Sequence, residues 1–265
     1  MDRYRITLTY FIIFLTFLPW TIEPVHPQES RTKEQIIAKF SGRVPHEWAE
    51  AVKGVKTRLN TDQKVLAMTF DACDGPRGLG YHARLIKYLE SEEVPATLFI
   101  SGRWIDAHPE IFNKTAGNPL FEIENHGLNH QPCSAIGRSA YGIEGTKSVG
   151  EIFDEIELNA LKIQTLTSHK PKYYRSGTVY SDEICVEIAN ALGVDVVSFS
   201  VLGDAGTTYS KEQVKKALLD SAPASIILMH MNHPERESAE GVIGAIPELK
   251  KRGFRFVKLS EYRLR

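Results

Sequence analysis

Two histidines separated by three residues are the first feature of this sequence that could do chemistry. His126 and His130 lie in the segment Glu124-Asn-His-Gly-Leu-Asn-His-Gln-Pro132. One helical turn would point both imidazoles in the same direction. Two imidazoles and a carboxylate form a three-ligand zinc site that leaves a position for water. A hydrogen-bonded surface or capping pair is the alternative, and nearby carboxylates favour the metal site over it.

Two carboxylates follow a short apolar run elsewhere in the chain. They are Asp71 and Asp74, in the segment Thr69-Phe-Asp-Ala-Cys-Asp-Gly-Pro76. They could cap the next helix or shape a Gly-Pro turn. Two carboxylates at one strand end are nevertheless costly unless a cation faces them. A metal ion and Arg175 would both supply that positive charge.

The elements that carry these residues alternate between strand and helix from Lys64 onward. Apolar runs predict seven strands, at 65–70, 96–101, 120–124, 173–175, 194–200, 225–230 and 254–259. Helical spacing predicts helices at 82–93, 109–116, 149–166, 182–192, 211–221 and 239–252. Repeated strand–helix units with apolar strands predict an α/β fold with a parallel sheet, either open or closed as a barrel.

Polar residues follow five of these predicted strands. Functional groups in such folds gather at the carboxyl ends of the strands. The five segments contain Asp71, His126, Arg175, Asp204 and His230. Core packing does not require this pattern, which therefore indicates an active site at one edge of the sheet.

These segments resemble the motifs of the polysaccharide deacetylases, carbohydrate esterase family four, in the same order across residues 62–262. Thr69–Pro76 is similar to the family's Thr-Phe-Asp-Asp-Gly-Pro, and His126–Pro132 to its His-(Ser/Thr)-x-x-His-Pro, with Gln131 inserted. Leu228-Met-His230 matches its Leu-x-His motif. The resemblance implies a distorted (β/α)7 barrel and metal-dependent removal of N- or O-acetyl groups from sugars.

The resemblance also implies roles for individual residues. Asp71 is expected to be the general base, steadied by Arg175, and His230 the general acid, oriented by Asp204. The implied metal ligands are Asp74, His126 and His130. The implied cofactor is a divalent metal, zinc in the first place, with cobalt, nickel or manganese as alternatives.

The chain departs from the family motifs at three places. The family's two aspartates are adjacent, whereas Ala72 and Cys73 intervene here, so Asp71, Cys73 and Asp74 are all candidates for the third metal ligand. The arginine motif reads Arg175-Ser-Gly-Thr178, with the Thr178 backbone N–H as a candidate oxyanion donor. The family's Asp-Trp motif is reduced to Gly203-Asp-Ala205.

Three cysteines are too few for a disulfide scaffold. Cys73 and Cys133 lie in the two segments that carry the metal ligands, so a disulfide between them is one hypothesis. Cys185 falls in an apolar predicted helix and is interpreted as a small buried hydrophobe.

Arg3 and Arg5 precede a fifteen-residue apolar run from Ile6 to Trp20. Because spanning a bilayer takes roughly 20 such residues, the run is more typical of an export signal. The sequence therefore predicts a signal peptide or anchor at 1–25, a linker with short helices at 26–61 (32–40 and 48–54), and one catalytic domain at 62–265. The protein is expected to be periplasmic or extracellular, with the membrane contacted only through a retained anchor.

The composition excludes few classes of function. The 265 residues include 32 Lys and Arg against 33 Asp and Glu, a net charge of −1. This balance argues against nucleic-acid binding and suits a neutral sugar polymer. The predicted function is N-deacetylation of peptidoglycan or a chitin-like N-acetylglucosamine polymer. The alternatives are an O-acetyl polysaccharide esterase and a non-catalytic carbohydrate-binding protein on a decayed scaffold.

Five tyrosines are candidates for stacking on sugars: Tyr141, Tyr173, Tyr174, Tyr180 and Tyr209.

Overall fold

A parallel β-sheet organises the part of the chain that the computed structural model describes, residues 31–73 and 80–265. The predicted export segment 1–25 and Asp74 lie outside these residues. Eight strands are found within them: β1 (Val65–Ala72), β2 (Ala96–Ile100), β3 (Phe121–Asn125), β4 (Tyr173–Tyr174), β5 (Asp195–Val196), β6 (Val201–Leu202), β7 (Ser225–His230) and β8 (Arg255–Val257).

The sheet order is β5-β4-β3-β2-β1-β7-β6, and β8 pairs with the first half of β1. The two end strands, β5 and β6, are consecutive in the chain and are joined by only four residues. A link of that length spans at most about 18 Å, so the sheet curls until its two edges lie near each other. This curled sheet is the predicted distorted barrel.

Helices cover the outside of the sheet. They are α1 (Lys33–Phe40), α2 (Ala83–Ser91), α3 (Gly102–Ala107), α4 (Pro109–Ala116), α5 (Val149–Phe153), α6 (Asn159–Thr167), α7 (Glu183–Ala191), α8 (Lys211–Leu219) and α9 (Ser238–Lys251). A π-helical turn, Asp154–Leu158, joins α5 to α6, and a 3-10 turn, Leu259–Glu261, follows β8. All eight residues of β1 are buried, as expected for a parallel strand covered on both faces.

The predicted strand 194–200 is wrong as a single strand. The chain leaves the sheet after Val196 and re-enters it at Val201. Between these points, the carbonyl oxygens of Val197 and Ser198 accept hydrogen bonds from the Arg175 side chain. These two contacts lie where the predicted strand is divided into β5 and β6.

The predicted helix at 48–54 is also wrong. Backbone N–H groups there find side-chain acceptors in place of helical carbonyls: Glu183 accepts from His46 and Glu47, and Glu47 accepts from Lys53. Ala49 pairs with Ser181 in an isolated bridge. The predicted helix at 32–40 is present as α1, which begins with a capping box formed by Thr32 and Gln35.

The cysteine pairing differs from the prediction. Cys133 forms a disulfide with Cys185, with a Cα–Cα separation of 5.9 Å, so both the Cys73–Cys133 hypothesis and the interpretation of Cys185 as a simple hydrophobe are wrong. Backbone hydrogen bonds from Cys133 to Tyr180 and from Asp182 to Cys133 hold the loop against the first turn of α7, beside Cys185. Cys73 lies elsewhere, next to His126.

None of the helices in the described ranges combines the length and the apolar character that crossing a membrane requires.

Candidate active site

The five polar segments meet at the carboxyl edge of the curled sheet. Asp71 on β1 is level with His230 on β7. Asn125 on β3 is level with Tyr174 on β4, so the residues that follow them, His126 and Arg175, leave the sheet side by side. Asp71, His126, His130 and His230 all line one cavity of about 680 Å³. The parallel register is what brings these distant segments together.

Asp71 forms a buried ion pair with Arg175. The Arg175 Nη1 atom donates to Asp71 Oδ1 at 2.7 Å, and the other carboxylate oxygen lies 3.5 Å from His126 Nε2. Burial alone would raise the pKa of the Asp71 carboxyl. The positive charge of Arg175 is the largest of the effects that oppose burial, and together these effects hold that pKa below its usual value. Asp71 is therefore an ionised carboxylate that can accept a proton.

Arg175 is completely buried and held on every side. Besides Asp71, its guanidinium donates to Thr69 Oγ1 and to the two carbonyls between β5 and β6. The guanidinium carbon lies 4.1 Å from the centre of the Phe99 ring. These contacts fix the orientation of the guanidinium toward Asp71. They also compensate for its burial, since a buried charge is tolerated only when it is paired and hydrogen-bonded. The contribution of Thr69 was missed by the sequence prediction, although Thr69 opens the first motif.

His126 and His130 lie beside Cys73. Their rings are 4.8 Å apart in an edge-on arrangement, and Cys73 Sγ lies 3.4 Å from His126 Nε2. Burial is the main cause that lowers the pKa of His126 and, to about 3, that of His130. Both imidazoles are thus neutral near pH 7, which is the form that binds a metal.

The loop that carries these histidines rests on the buried carboxylate of Glu155. This carboxylate accepts backbone hydrogen bonds from Asn129 and Gln131 at 3.0 Å. Gly127 has a φ of 82°, and a Cβ there would lie 2.3 Å from Glu155 Oε1, so only glycine fits. Burial raises the pKa of Glu155 to about 7.

Glu155 is a second residue that the sequence prediction missed. The available signal was a charged residue on the buried stripe of the helix at 149–166, between Ile152 and Ile156. The π-helical turn that contains it was not visible in the helical spacing. Such turns often occur at functional sites.

His230 and Asp204 form a second polar pair. Asp204 Oδ1 accepts from His230 Nδ1 at 2.9 Å, and its other oxygen accepts from the His230 backbone N–H and the Ser238 hydroxyl. Burial alone would lower the pKa of His230, but the charge and hydrogen bond of Asp204 raise it above its usual value. His230 is thereby prepared to carry and donate a proton.

The remaining cavity wall is mostly apolar and contains strained backbone. Thr178 and Val179 have φ values of 63° and 68°, which is uncommon for β-branched residues and clusters at functional sites. The Thr178 hydroxyl is buried and has no hydrogen-bond partner among residues 31–73 and 80–265. Tyr141 lines the rim with 74% of its surface exposed; its ring contacts Tyr180 at 5.7 Å, and its hydroxyl donates to Glu50.

A further histidine lines the cavity, whereas two of the candidate tyrosines do not. His233 lines it and pairs with Glu235. Tyr174 is fully buried in the core and Tyr209 packs against the main core cluster, so neither presents a ring to the cavity. Asp74, predicted as a metal ligand, lies outside the described residues.

The donor set fits a divalent metal. Among the residues that the structure describes, Cys73, His126 and His130 form a group whose ligand atoms all lie within 4.8 Å of one another. Nitrogen and sulfur donors of this kind suit zinc and cobalt.

Fold and site together define an α/β-barrel protein with a metal-compatible polar site at the carboxyl ends of its strands. The family model described as "Polysaccharide deacetylase" matches residues 58–197. The chain belongs to the polysaccharide deacetylase family, which confirms the resemblance found in its motifs.

Three known proteins illustrate the relationship. The chain is 24% identical over 251 residues to the peptidoglycan-N-acetylmuramic acid deacetylase of Bacillus subtilis (strain 168), covering 88% of each chain. It is 24% identical over 211 residues to the peptidoglycan-N-acetylglucosamine deacetylase of Bacillus cereus, covering 78% of this chain and 92% of that one. The solved structure of a family 4 carbohydrate esterase pseudoenzyme from Bacillus anthracis superposes with a TM-score of 0.65 at 22% identity, over 78% of this chain and 67% of that one. The structural likeness confirms the predicted fold class.

Proposed function

We propose that this protein is a metal-dependent hydrolase that removes N-acetyl groups from an extracytoplasmic polysaccharide, either peptidoglycan or a chitin-like N-acetylglucosamine polymer. The observation that carries the proposal is the placement of two proton-transfer pairs around one cavity. Asp71 is held ionised by Arg175, and His230 is held by Asp204. Amide hydrolysis needs a base for the attacking water and an acid for the departing amine, and these pairs supply both.

His126 and His130 would hold the metal, together with a third ligand from the segment after β1. When bound, a divalent cation supplies Lewis acidity that lowers the pKa of water and polarises the acetyl carbonyl. The Arg175 backbone carbonyl accepts from His126 Nδ1 at 2.9 Å, which leaves Nε2 facing the cavity side of the site. Contacts of this kind orient a ligating histidine and raise its basicity.

Asp71 would take the proton from the attacking water. Its Oδ1 is bound by Arg175, so Oδ2 is the oxygen available for that proton. The Thr178 backbone N–H would stabilise the oxyanion that forms on the acetyl carbonyl, since fixed N–H donors act most strongly at such positions. His230 would then protonate the sugar amine as the carbon–nitrogen bond breaks, which releases acetate.

Two observations support a sugar polymer as substrate. The two curated relatives described above are named for acetylated amino sugars of peptidoglycan. The cavity of about 680 Å³ has mostly apolar walls and an exposed aromatic ring at its rim, as carbohydrate sites commonly have. Export by residues 1–25 is part of the proposal, because peptidoglycan lies outside the cytoplasm.

One finding favours a second candidate, a non-catalytic carbohydrate-binding protein. The chain has the fold of a known pseudoenzyme, and its first motif is altered by Ala72 and Cys73. The complete set of Asp71, Arg175, Asp204 and His230 argues for catalysis, because a binding protein has no need of ionised proton-transfer pairs.

Acetate release from three substrates separates these candidates. We expect release from N-acetylglucosamine oligomers or purified peptidoglycan, its loss with a chelator, and its loss in Asp71→Asn with the metal content unchanged. Release from acetylated xylan alone would identify an O-acetyl esterase. Glycan binding without release at any metal concentration would identify the binding protein and contradict the proposal.

A further inference from the structure

Cys73 is placed against the two histidines of the proposed metal site. It is the first residue after β1 and is 92% buried, with 8% of its surface exposed. Its Sγ lies 3.4 Å from His126 Nε2, and Cys73, His126 and His130 form one group of closely spaced donor atoms. A thiol at this position does not contribute to the disulfide, which joins Cys133 and Cys185.

The hydrogen bond on the other side of His126 shows which ring nitrogen faces Cys73 with a lone pair. The Arg175 carbonyl can only accept, so the proton of the 2.9 Å contact is on His126 Nδ1. In the neutral imidazole, Nε2 then has a lone pair directed toward Cys73 Sγ and Asp71 Oδ2. In the metal-free protein this lone pair can accept the Cys73 thiol proton, and a cation that displaces that proton would be bound by Nε2 and Sγ together.

The distance between Cys73 Sγ and His126 Nε2 suits a tetrahedral ion. Zinc bonds of 2.3 Å to sulfur and 2.0–2.1 Å to nitrogen place those two atoms about 3.5 Å apart in a tetrahedral site. The separation of Cys73 Sγ and His126 Nε2 is 3.4 Å. Three protein ligands of this kind leave a fourth position open, as a catalytic zinc site requires.

Among the residues of β1 that the structure describes, one carboxylate, that of Asp71, could compete for this position. Directly after Asp71, where the family motif has its second aspartate, this chain has Ala72, which is buried and apolar. Asp71 itself is engaged by Arg175 through Oδ1. The next donor along the chain is Cys73.

We infer that the thiolate of Cys73 takes the place of a carboxylate as the third ligand, so that the metal is held by Cys73, His126 and His130. The inference rests on the proposed function, because it concerns the metal of the same site. A sulfur ligand makes the site softer than one of two histidines and an aspartate, and it favours zinc and cobalt over manganese and magnesium.

Cobalt(II) substitution tests this inference without an activity measurement. A thiolate bound to cobalt produces a charge-transfer band in the near ultraviolet, which nitrogen and oxygen ligands do not. We expect the full-length wild-type protein to show this band at one equivalent of cobalt. X-ray absorption of the zinc form is expected to show one sulfur at about 2.3 Å.

Matched variants identify the source of the band. Cys73→Ser and Cys73→Asp are expected to lose it, and Cys73→Ser to bind zinc about 100-fold more weakly, since even residues that only contact a ligand contribute 10- to 100-fold. Asp74→Asn is expected to keep both the band and the affinity. Far-ultraviolet circular dichroism of each metal-free variant checks that it is folded. If a variant is not folded, the cobalt spectrum and the X-ray absorption of the wild-type protein still test the inference.

The outcomes distinguish this inference from the function on which it rests. Tight cobalt binding without a thiolate band, with affinity lost in Asp74→Asn but kept in Cys73→Ser, would overturn the inference and leave the metal site intact. Wild-type protein that binds no cobalt, or binds it unchanged after His126→Ala, would overturn the metal site itself and the inference with it. A thiolate band in a protein that releases no acetate would support the ligand and contradict the proposed function.

Discussion

Removal of the Cys133–Cys185 disulfide is expected to destabilise the fold by a calculable amount. The bond joins residues 52 positions apart, and a cross-link mainly restricts the unfolded chain. For a closed loop of this length, the chain-entropy model gives about 4 kcal/mol. Because a kcal/mol shifts the melting temperature of a chain of this size by roughly 2–4 °C, we expect a decrease of about 8–16 °C.

Urea unfolding of the purified oxidised protein measures this effect. Cys133→Ala and Cys185→Ala each break the same bond, so the free energy of unfolding should fall by about 4 kcal/mol in either variant. The double variant should lose little more than one single variant, because the bond can be lost only once. The dependence of the free energy on urea should also steepen, since the unfolded chain becomes more expanded.

A thiol titration in denaturant provides the control. Without reductant, the wild-type chain should expose one thiol, that of Cys73. Three thiols in protein recovered from an oxidising compartment would refute the pairing. Small and additive losses of free energy in the two single variants would refute the reasoning about the loop, even with the bond present.

Three further predictions follow from the contacts of the site. Asp204→Asn should lower the pKa of His230, because Asp204 raises it; the alkaline limb of kcat should then move to lower pH and kcat should fall by about 10²- to 10⁴-fold. The pKa of Glu155 is raised from 4.5 to about 7 in the folded protein, so its contribution to stability is present below pH 4.5 and lost as the pH rises through 7. Urea unfolding at pH 5 and pH 7 should therefore show a decrease of about 2 kcal/mol from this residue, absent in Glu155→Gln; an equal pH dependence in both proteins would contradict it. Tyr141→Ala should raise KM for long oligomers by about 2- to 10-fold without changing the melting temperature, whereas Tyr141→Phe should not, and an unchanged KM in Tyr141→Ala would remove the ring from the binding site.

Much of the fold could be predicted from the sequence because the strands are buried on both faces. Apolar runs such as 65–70 and 225–230 bury all their side chains only as central strands of the sheet. The structure has β1 and β7 at these positions. The helix at 109–116 has its proline at the first turn and is found with those bounds. The repeated strand–helix pattern already implies parallel strands. Parallel strands bring the polar residues that follow them to one edge of the sheet.

Other features depended on contacts between residues distant in the chain. The division of 194–200 into β5 and β6 occurs where the Arg175 side chain donates to two backbone carbonyls, a contact between segments far apart in the chain. The disulfide partner of Cys133 was set by hydrogen bonds to Tyr180 and Asp182, not by closeness to the segments that carry the predicted metal ligands. Glu155 was not recognised from the sequence, because it lies in a predicted helix while its carboxylate binds the backbone of a distant loop, the one that carries His126 and His130.

Metal titration of the metal-free protein tests the central claim most directly. Purified peptidoglycan is supplied in excess, and both acetate and new free amino groups are counted as zinc is added. The account predicts no release without metal, a rise that ends at one equivalent per chain, and one amino group for each acetate. Release by the metal-free protein, or no release from any acetylated glycan after one equivalent has bound, would contradict it.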